Sequence, residues 1–128
     1  MTTPAIIYFD GGARPPDNGP AAIGYTVEMD GSTEEKEHDR IGRATCNEAE
    51  YHALIQALEV ASKKGCTEVE ARGDSQLIVH QVRGDWKTNE PHLRKLRDSA
   101  QELAEEFERF EIQHIPREEN RQADALVD

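Results

Sequence analysis

The stretch Ile6-Ile7-Tyr8-Phe9-Asp10-Gly11-Gly12 decides the fold. Its apolar run reads as a buried central strand, closed by a carboxylate and two glycines. An anion at the end of such a strand is costly to bury unless a cation meets it, and glycines let a second backbone or a ligand come close. A turn aspartate capping the strand explains the fragment equally well. The choice rests on whether other carboxylates arrive at the same place.

Working outward, Gly11 to Pro20 (GGARPPDNGP) is dense in turn formers and reads as a loop. Ala21 to Met29 reads as a strand, and Asp30-Gly31 is a hairpin signal. The returning segment, Ser32 to Ile41, carries Glu34, Glu35, Lys36, Glu37, His38, Asp39 and Arg40, a charge density that suits a solvated edge strand. Thr45-Cys46-Asn47-Glu48 has the T-x-x-E form of a capping box and predicts a helix. That helix places Ala49, Ala53, Leu54, Ala57, Leu58 and Ala61 at core spacing and stops at Lys63-Lys64-Gly65. Glu50 is a good first-turn residue, but it shares the stripe of Leu54 and Leu58, and a Glu facing the core needs a partner.

Thr67 to Arg72 reads as a strand, broken by Gly73-Asp74-Ser75 before a short helix at Gln76 to Val82. Strand, helix and strand in this order imply a parallel crossover, whose ligands sit beyond the carboxyl ends of the strands. Asp74 stands there; capping the helix is its plainer reading. Arg83 to Arg97 is the one locally basic stretch, with Arg83, Lys87, Arg94, Lys95 and Arg97 around Trp86. It reads either as a phosphate-contacting face or as solvated cations over a core Trp. Pro91 opens a helix through Leu93, Leu96, Ala100, Leu103, Ala104 and Phe107. Phe110 to Ile115 alternates as a strand ended by Pro116, and Arg117 to Leu126 forms a last helix with Asn120 and Asp124 one turn apart.

Composition bounds the function. The 128 residues fit one domain, residues 1–128, with room for a continuous core. Met1-Thr2-Thr3-Pro4 has no basic leader and no apolar run of membrane-spanning length follows, so a cytoplasmic protein with no membrane partner is expected. Cys46 and Cys66 lack metal-ligand or disulfide spacing. A net charge of −11 and pI near 4.9 oppose nucleic-acid binding at ordinary salt. A halophilic source would reconcile the two, because the screening length falls to about 3 Å at 1 M salt.

Four segments together resemble a known family. Phe9-Asp10-Gly11-Gly12, Thr45-Cys46-Asn47-Glu48-Ala49-Glu50, Gly73-Asp74-Ser75-Gln76 and Arg117-Glu118-Glu119-Asn120 through Ala123-Asp124-Ala125-Leu126 are similar to the four motifs of type 1 ribonuclease H, in order and across the chain. The His114-Ile115-Pro116-Arg117 ending resembles the archaeal-type branch. The resemblance implies an α/β ribonuclease H-like fold: a five-stranded mixed sheet of order 3-2-1-4-5, strand 2 antiparallel, flanked by helices. It further implies hydrolysis of the RNA strand of RNA/DNA hybrids, leaving 5′-phosphate and 3′-hydroxyl ends, by a monomer. Some members of this branch also cut double-stranded RNA. A catalytically silent nucleic-acid-binding module of the same fold is the alternative.

By this resemblance Asp10, Glu50, Asp74 and Asp124 are the catalytic and metal-binding residues, for two Mg²⁺ ions per site with Mn²⁺ as substitute. The chemistry agrees, since four converging carboxylates repel unless hard divalent cations neutralise them. Substrate contacts carry over to Gly11, Gly12, Arg43, Thr45, Cys46, Asn47, Gln76 and Asn120. Cys46 departs from the family pattern, as does Pro15-Pro16-Asp17-Asn18, and Gly84 to Glu90 leaves no room for a basic protrusion. His114 and Arg117 are the candidates for product release, whereas His52, His80 and His92 read as packing or surface residues. The last helix, stopping at Val127-Asp128, is short, which leaves the natural end of the chain open.

Overall fold

The computed structural model describes residues 2–127, apart from the side chains of Glu34 and Glu35. The readings placed on Met1, on Asp128 and on those two edge-strand charges lie outside the described residues. Five strands form one sheet: β1 (Pro4–Ala13), β2 (Gly19–Met29), β3 (Ser32–Ala44), β4 (Glu68–Gly73) and β5 (Arg109–His114). Their order is β3-β2-β1-β4-β5; β2 runs antiparallel to β1 and β3, and β4 runs parallel to β1 and β5. Four helices accompany them: α1 (Cys46–Lys63), α2 (Gln76–Arg83), α3 (Pro91–Glu105) and α4 (Arg121–Val127). The expected topology is the observed one.

Local chemistry explains the boundaries. Thr45 caps α1 as the box predicts: its Oγ1 accepts from the Glu48 N–H at 3.0 Å, and its own N–H donates to Glu48 Oε1 at 2.8 Å. Asp30 and Gly31 turn the β2–β3 hairpin, both with positive φ. Other boundaries differ from expectation. The first loop is shorter, because Gly11, Gly12 and Ala13 continue β1 and pair with Ile23, Ala22 and Ala21. Ser75, not Asp74, caps α2, accepting from the Ile78 N–H. Helix α3 ends at Glu105, where i→i−3 bonds from Glu106 and Phe107 tighten the last turn. The final segment breaks into a 3₁₀ turn, Arg117–Glu119, followed by α4.

The core lies between the sheet and α1, with Ile7, Phe9, Ile23, Val27, Tyr51, Leu54 and Leu58 fully or almost fully enclosed. A buried Tyr51 hydroxyl donates to Gln81 Oε1 at 2.7 Å, tying α1 to α2. On the other side α4 lies flat across β2. Gly24 permits this, since a Cβ there would come within 2.6 Å of the Ala123 carbonyl oxygen. His38 on β3 contacts the Leu126 carbonyl oxygen at the far end of α4.

Within the basic stretch Leu93 joins the core, but Trp86 does not. Trp86 is 43% exposed and stacks on His80, ring centroids 4.5 Å apart. Arg83 donates its Nε–H to the Ile112 carbonyl on the outer edge of β5, and Arg97 pairs with Asp98. Lys87, Arg94 and Lys95 stay exposed. No helix among the described residues is long and apolar enough to cross a membrane.

Candidate active site

Three neighbouring elements deliver carboxylates to one place. Asp10 leaves β1 opposite Gly24, Glu50 leaves the first turns of α1, and Asp74 follows the last residue of β4. Their oxygens lie within 4.8 Å of one another. Gly11 makes the approach possible: a Cβ there would stand 2.4 Å from the Ala49 carbonyl carbon, so only a glycine lets α1 come this close to β1. Asp124, on α4, stands beside Asp10 but outside the tight threesome, its Oδ1 accepting from the Arg117 guanidinium at 3.2 Å.

Burial shapes the electrostatics. Removal from water pushes the Asp10 carboxyl up to about 7; a hydrogen bond with Glu50 opposes the rise, while the charges of Asp74 and Asp124 add to it. Burial also drives Glu50 well above the ordinary carboxylate range, reinforced by Asp10 and partly countered by the Gly11 backbone N–H. Glu50 Oε2 is enclosed and has no hydrogen-bond partner. Such a group is stable only with a proton or a cation.

The carboxylates open into a groove of about 910 Å³ lined also by Gly11, Gly12, Arg14, Cys46, Asn47, Ser75 and Arg117. Among the residues expected to contact substrate, Gly11, Gly12, Cys46 and Asn47 therefore face it. The Cys46 thiol is engaged, accepting from the Ala13 N–H at 3.3 Å and lying 3.6 Å from the Ala13 carbonyl. Thr45, Arg43 and Gln76 do not line the groove; Arg43 donates to the Asn18 carbonyl at 2.8 Å, and Gln76 is exposed at the start of α2.

Asn120, expected at the substrate, is instead fully buried behind the carboxylates; its amide donates to the Phe9 carbonyl and to Asp74 Oδ2, each at 3.0 Å. His114 is exposed at the end of β5 and does not line the groove, whereas Arg117 does. Arg14 is a groove residue that sequence reasoning missed. Its only signal was a cation two residues beyond the glycine pair.

A family model described as reverse transcriptase-like matches residues 9–128. The chain is 50% identical over 121 residues to ribonuclease HI of Halobacterium salinarum, covering 94% of this chain and 60% of that protein. It spans 34% of the Mycobacterium proteins it also matches. The crystal structure of RNase H1 from Halobacterium salinarum superposes with a TM-score of 0.93 at 47% identity, covering 97% of this chain and 94% of that one. LC11-RNase H1, solved in complex with an RNA/DNA hybrid, gives a TM-score of 0.89 at 42% identity over 96% of this chain and 93% of that one. Likeness this close, sustained from Phe9 to the end, goes beyond a shared sheet order: the chain belongs to the type 1 ribonuclease H family.

Proposed function

We propose that the groove hydrolyses the RNA strand of RNA/DNA hybrids in a divalent-metal-dependent reaction, leaving 5′-phosphate and 3′-hydroxyl ends. The observation that carries this reading is the buried, unpartnered Oε2 of Glu50 beside Asp10 and Asp74. An all-oxygen donor set of this charge fits a hard cation, Mg²⁺ with Mn²⁺ as substitute. Asp10, Glu50, Asp74 and Asp124 would hold two such ions. When bound, these would lower the pKa of an attacking water and neutralise charge on the leaving 3′-oxygen.

The chain's own residues supply the rest. Gly11 and Gly12 bring backbone to the groove, where 2′-hydroxyls would distinguish RNA from DNA. The capping bond of Thr45 uses its oxygen as acceptor, which leaves the hydroxyl proton for a DNA phosphate. Asn47 would reach the minor groove, while Cys46 holds α1 to β1. Arg117 would meet the cleaved phosphate as it departs. A monomer acting in the cytoplasm completes the proposal; among the described residues Cys46 and Cys66 are both unpaired.

Likeness to a protein solved on a hybrid supports the substrate. The test is cleavage of end-labelled RNA/DNA hybrid, double-stranded RNA and double-stranded DNA, each with Mg²⁺, Mn²⁺ or EDTA. The hybrid's RNA strand is expected to be cut with either metal, double-stranded RNA more slowly and DNA not at all. Binding of hybrid without cleavage under every metal condition would instead identify a silent binding module.

A further inference from the structure

Asn120 bonds to three of the four segments that carry the carboxylates: β1, the turn after β4 and α4. Its side-chain NH₂ faces two groups that only accept, the Phe9 carbonyl and Asp74 Oδ2, each 3.0 Å away. That chemistry fixes the amide's orientation. Phe9 immediately precedes Asp10. The Asn120 carbonyl in turn accepts the Asp124 N–H at 3.0 Å, and its own N–H donates to the Arg117 carbonyl at 3.0 Å. One fully enclosed residue therefore bonds the strand beside Asp10, the carboxylate of Asp74 and the first turn of the helix bearing Asp124. Its Oδ1 is buried without a partner, an arrangement that costs stability and does nothing for packing that an apolar residue could not do.

We propose that Asn120 is a positioning residue for cation binding: it sets Asp74 against β1 and α4, so that the carboxylates are spaced before any nucleic acid arrives. This rests on the metal-dependent reading of the site. A donor to a metal-binding carboxylate is worth roughly 10–100-fold in metal affinity. A direct substrate contact at this position would act differently, raising KM for the hybrid and leaving metal affinity alone.

The test is Mn²⁺ titration by calorimetry, without nucleic acid, on the wild type, Asn120→Ala, Asn120→Ser and the control Leu93→Ala, whose side chain is buried on α3 away from the groove. Both Asn120 variants are expected to bind Mn²⁺ at least about tenfold more weakly, while Leu93→Ala melts earlier yet keeps wild-type affinity. At saturating metal the KM for hybrid should stay within about twofold. Should Asn120→Ala fail to fold, the smaller change to Ser, which keeps one donor, is judged by the same criterion. Unchanged Mn²⁺ affinity in the folded variants, or a raised KM alone, overturns the proposal. A wild type that binds no Mn²⁺ overturns the metal-dependent reading itself.

Discussion

Gly11 and Ala49 meet backbone against backbone: a Cβ on Gly11 would stand 2.4 Å from the Ala49 carbonyl carbon and 2.6 Å from the Glu50 nitrogen. Gly11→Ala must therefore push α1 off β1 and carry Glu50 away from Asp10. We expect a loss of about 1–3 kcal/mol in stability, as for other overpacked sites, and a fall in hybrid cleavage of at least about tenfold. Gly12→Ala, whose Cβ would meet only Val127 Cγ1 at 3.3 Å, should cost less than half as much. Thermal melts of the two variants decide; equal melting temperatures would show that the contact yields freely.

The buried acids make metal-free stability depend on pH. Asp10 keeps its proton to about 7 when folded and to about 3.8 when unfolded, and Glu50 is shifted in the same direction. Folding thus takes up protons. The stability from this pair is complete below the unfolded value, declines as pH rises and is gone above the folded one. In EDTA the wild type should lose several degrees of melting temperature between pH 4 and pH 8 relative to Asp10→Asn. Saturating Mg²⁺ should restore the loss above pH 7. A wild type whose melting temperature in EDTA climbs with pH relative to that variant would refute the buried-acid account.

Arg117 and His114 separate on position. Arg117 lines the groove and holds Asp124, and His114 lies at the exposed end of β5 outside the groove lining. Arg117→Ala should lower kcat several-fold with a smaller effect on KM, and His114→Ala should stay within about twofold of wild type. The reverse ranking in steady-state assays would move the product-release role to the histidine.

The acidic surface predicts a response to salt. With a net charge of −11, self-repulsion opposes the compact state, and raising KCl to about 1 M cuts the screening length to about 3 Å. The melting temperature should rise by several degrees between about 0.1 M and 1 M KCl. A flat or falling curve would show that the charges are already balanced in pairs.

Much of the site was legible because its signals are local. The Thr45–Glu48 box announces the start of α1, and the turn formers around Asp30-Gly31 announce the hairpin. Asp10, Glu50 and Asp74 each follow a short recognisable context, and the four motifs together imply the sheet order observed. What escaped depends on contacts between distant segments. Gly11 and Gly12 look like loop residues until they are seen paired with Ile23 and Ala22 of β2, with α1 lying against Gly11. Asn120 and Asp124 stand one turn apart as expected, but nothing local told that the Asn120 side chain turns wholly inward, where Phe9 and Asp74, 111 and 46 residues away, supply its acceptors. Arg83 was read with the basic stretch either as part of a phosphate-contacting face or as a solvated cation; its bond to the Ile112 carbonyl of β5, 29 residues away, had no local signal.

Asp10 and its neighbours, on the function proposed, hold divalent cations for phosphodiester hydrolysis. The most direct test is the initial rate at which Asp10→Asn cuts the RNA strand of a labelled hybrid in Mg²⁺, with folding checked by circular dichroism. Removing several kcal/mol of transition-state stabilisation should slow cleavage by about a thousandfold or more while the fold and its melting temperature are kept or improved. A well-folded Asp10→Asn protein that cleaves within about tenfold of the wild-type rate would contradict the account.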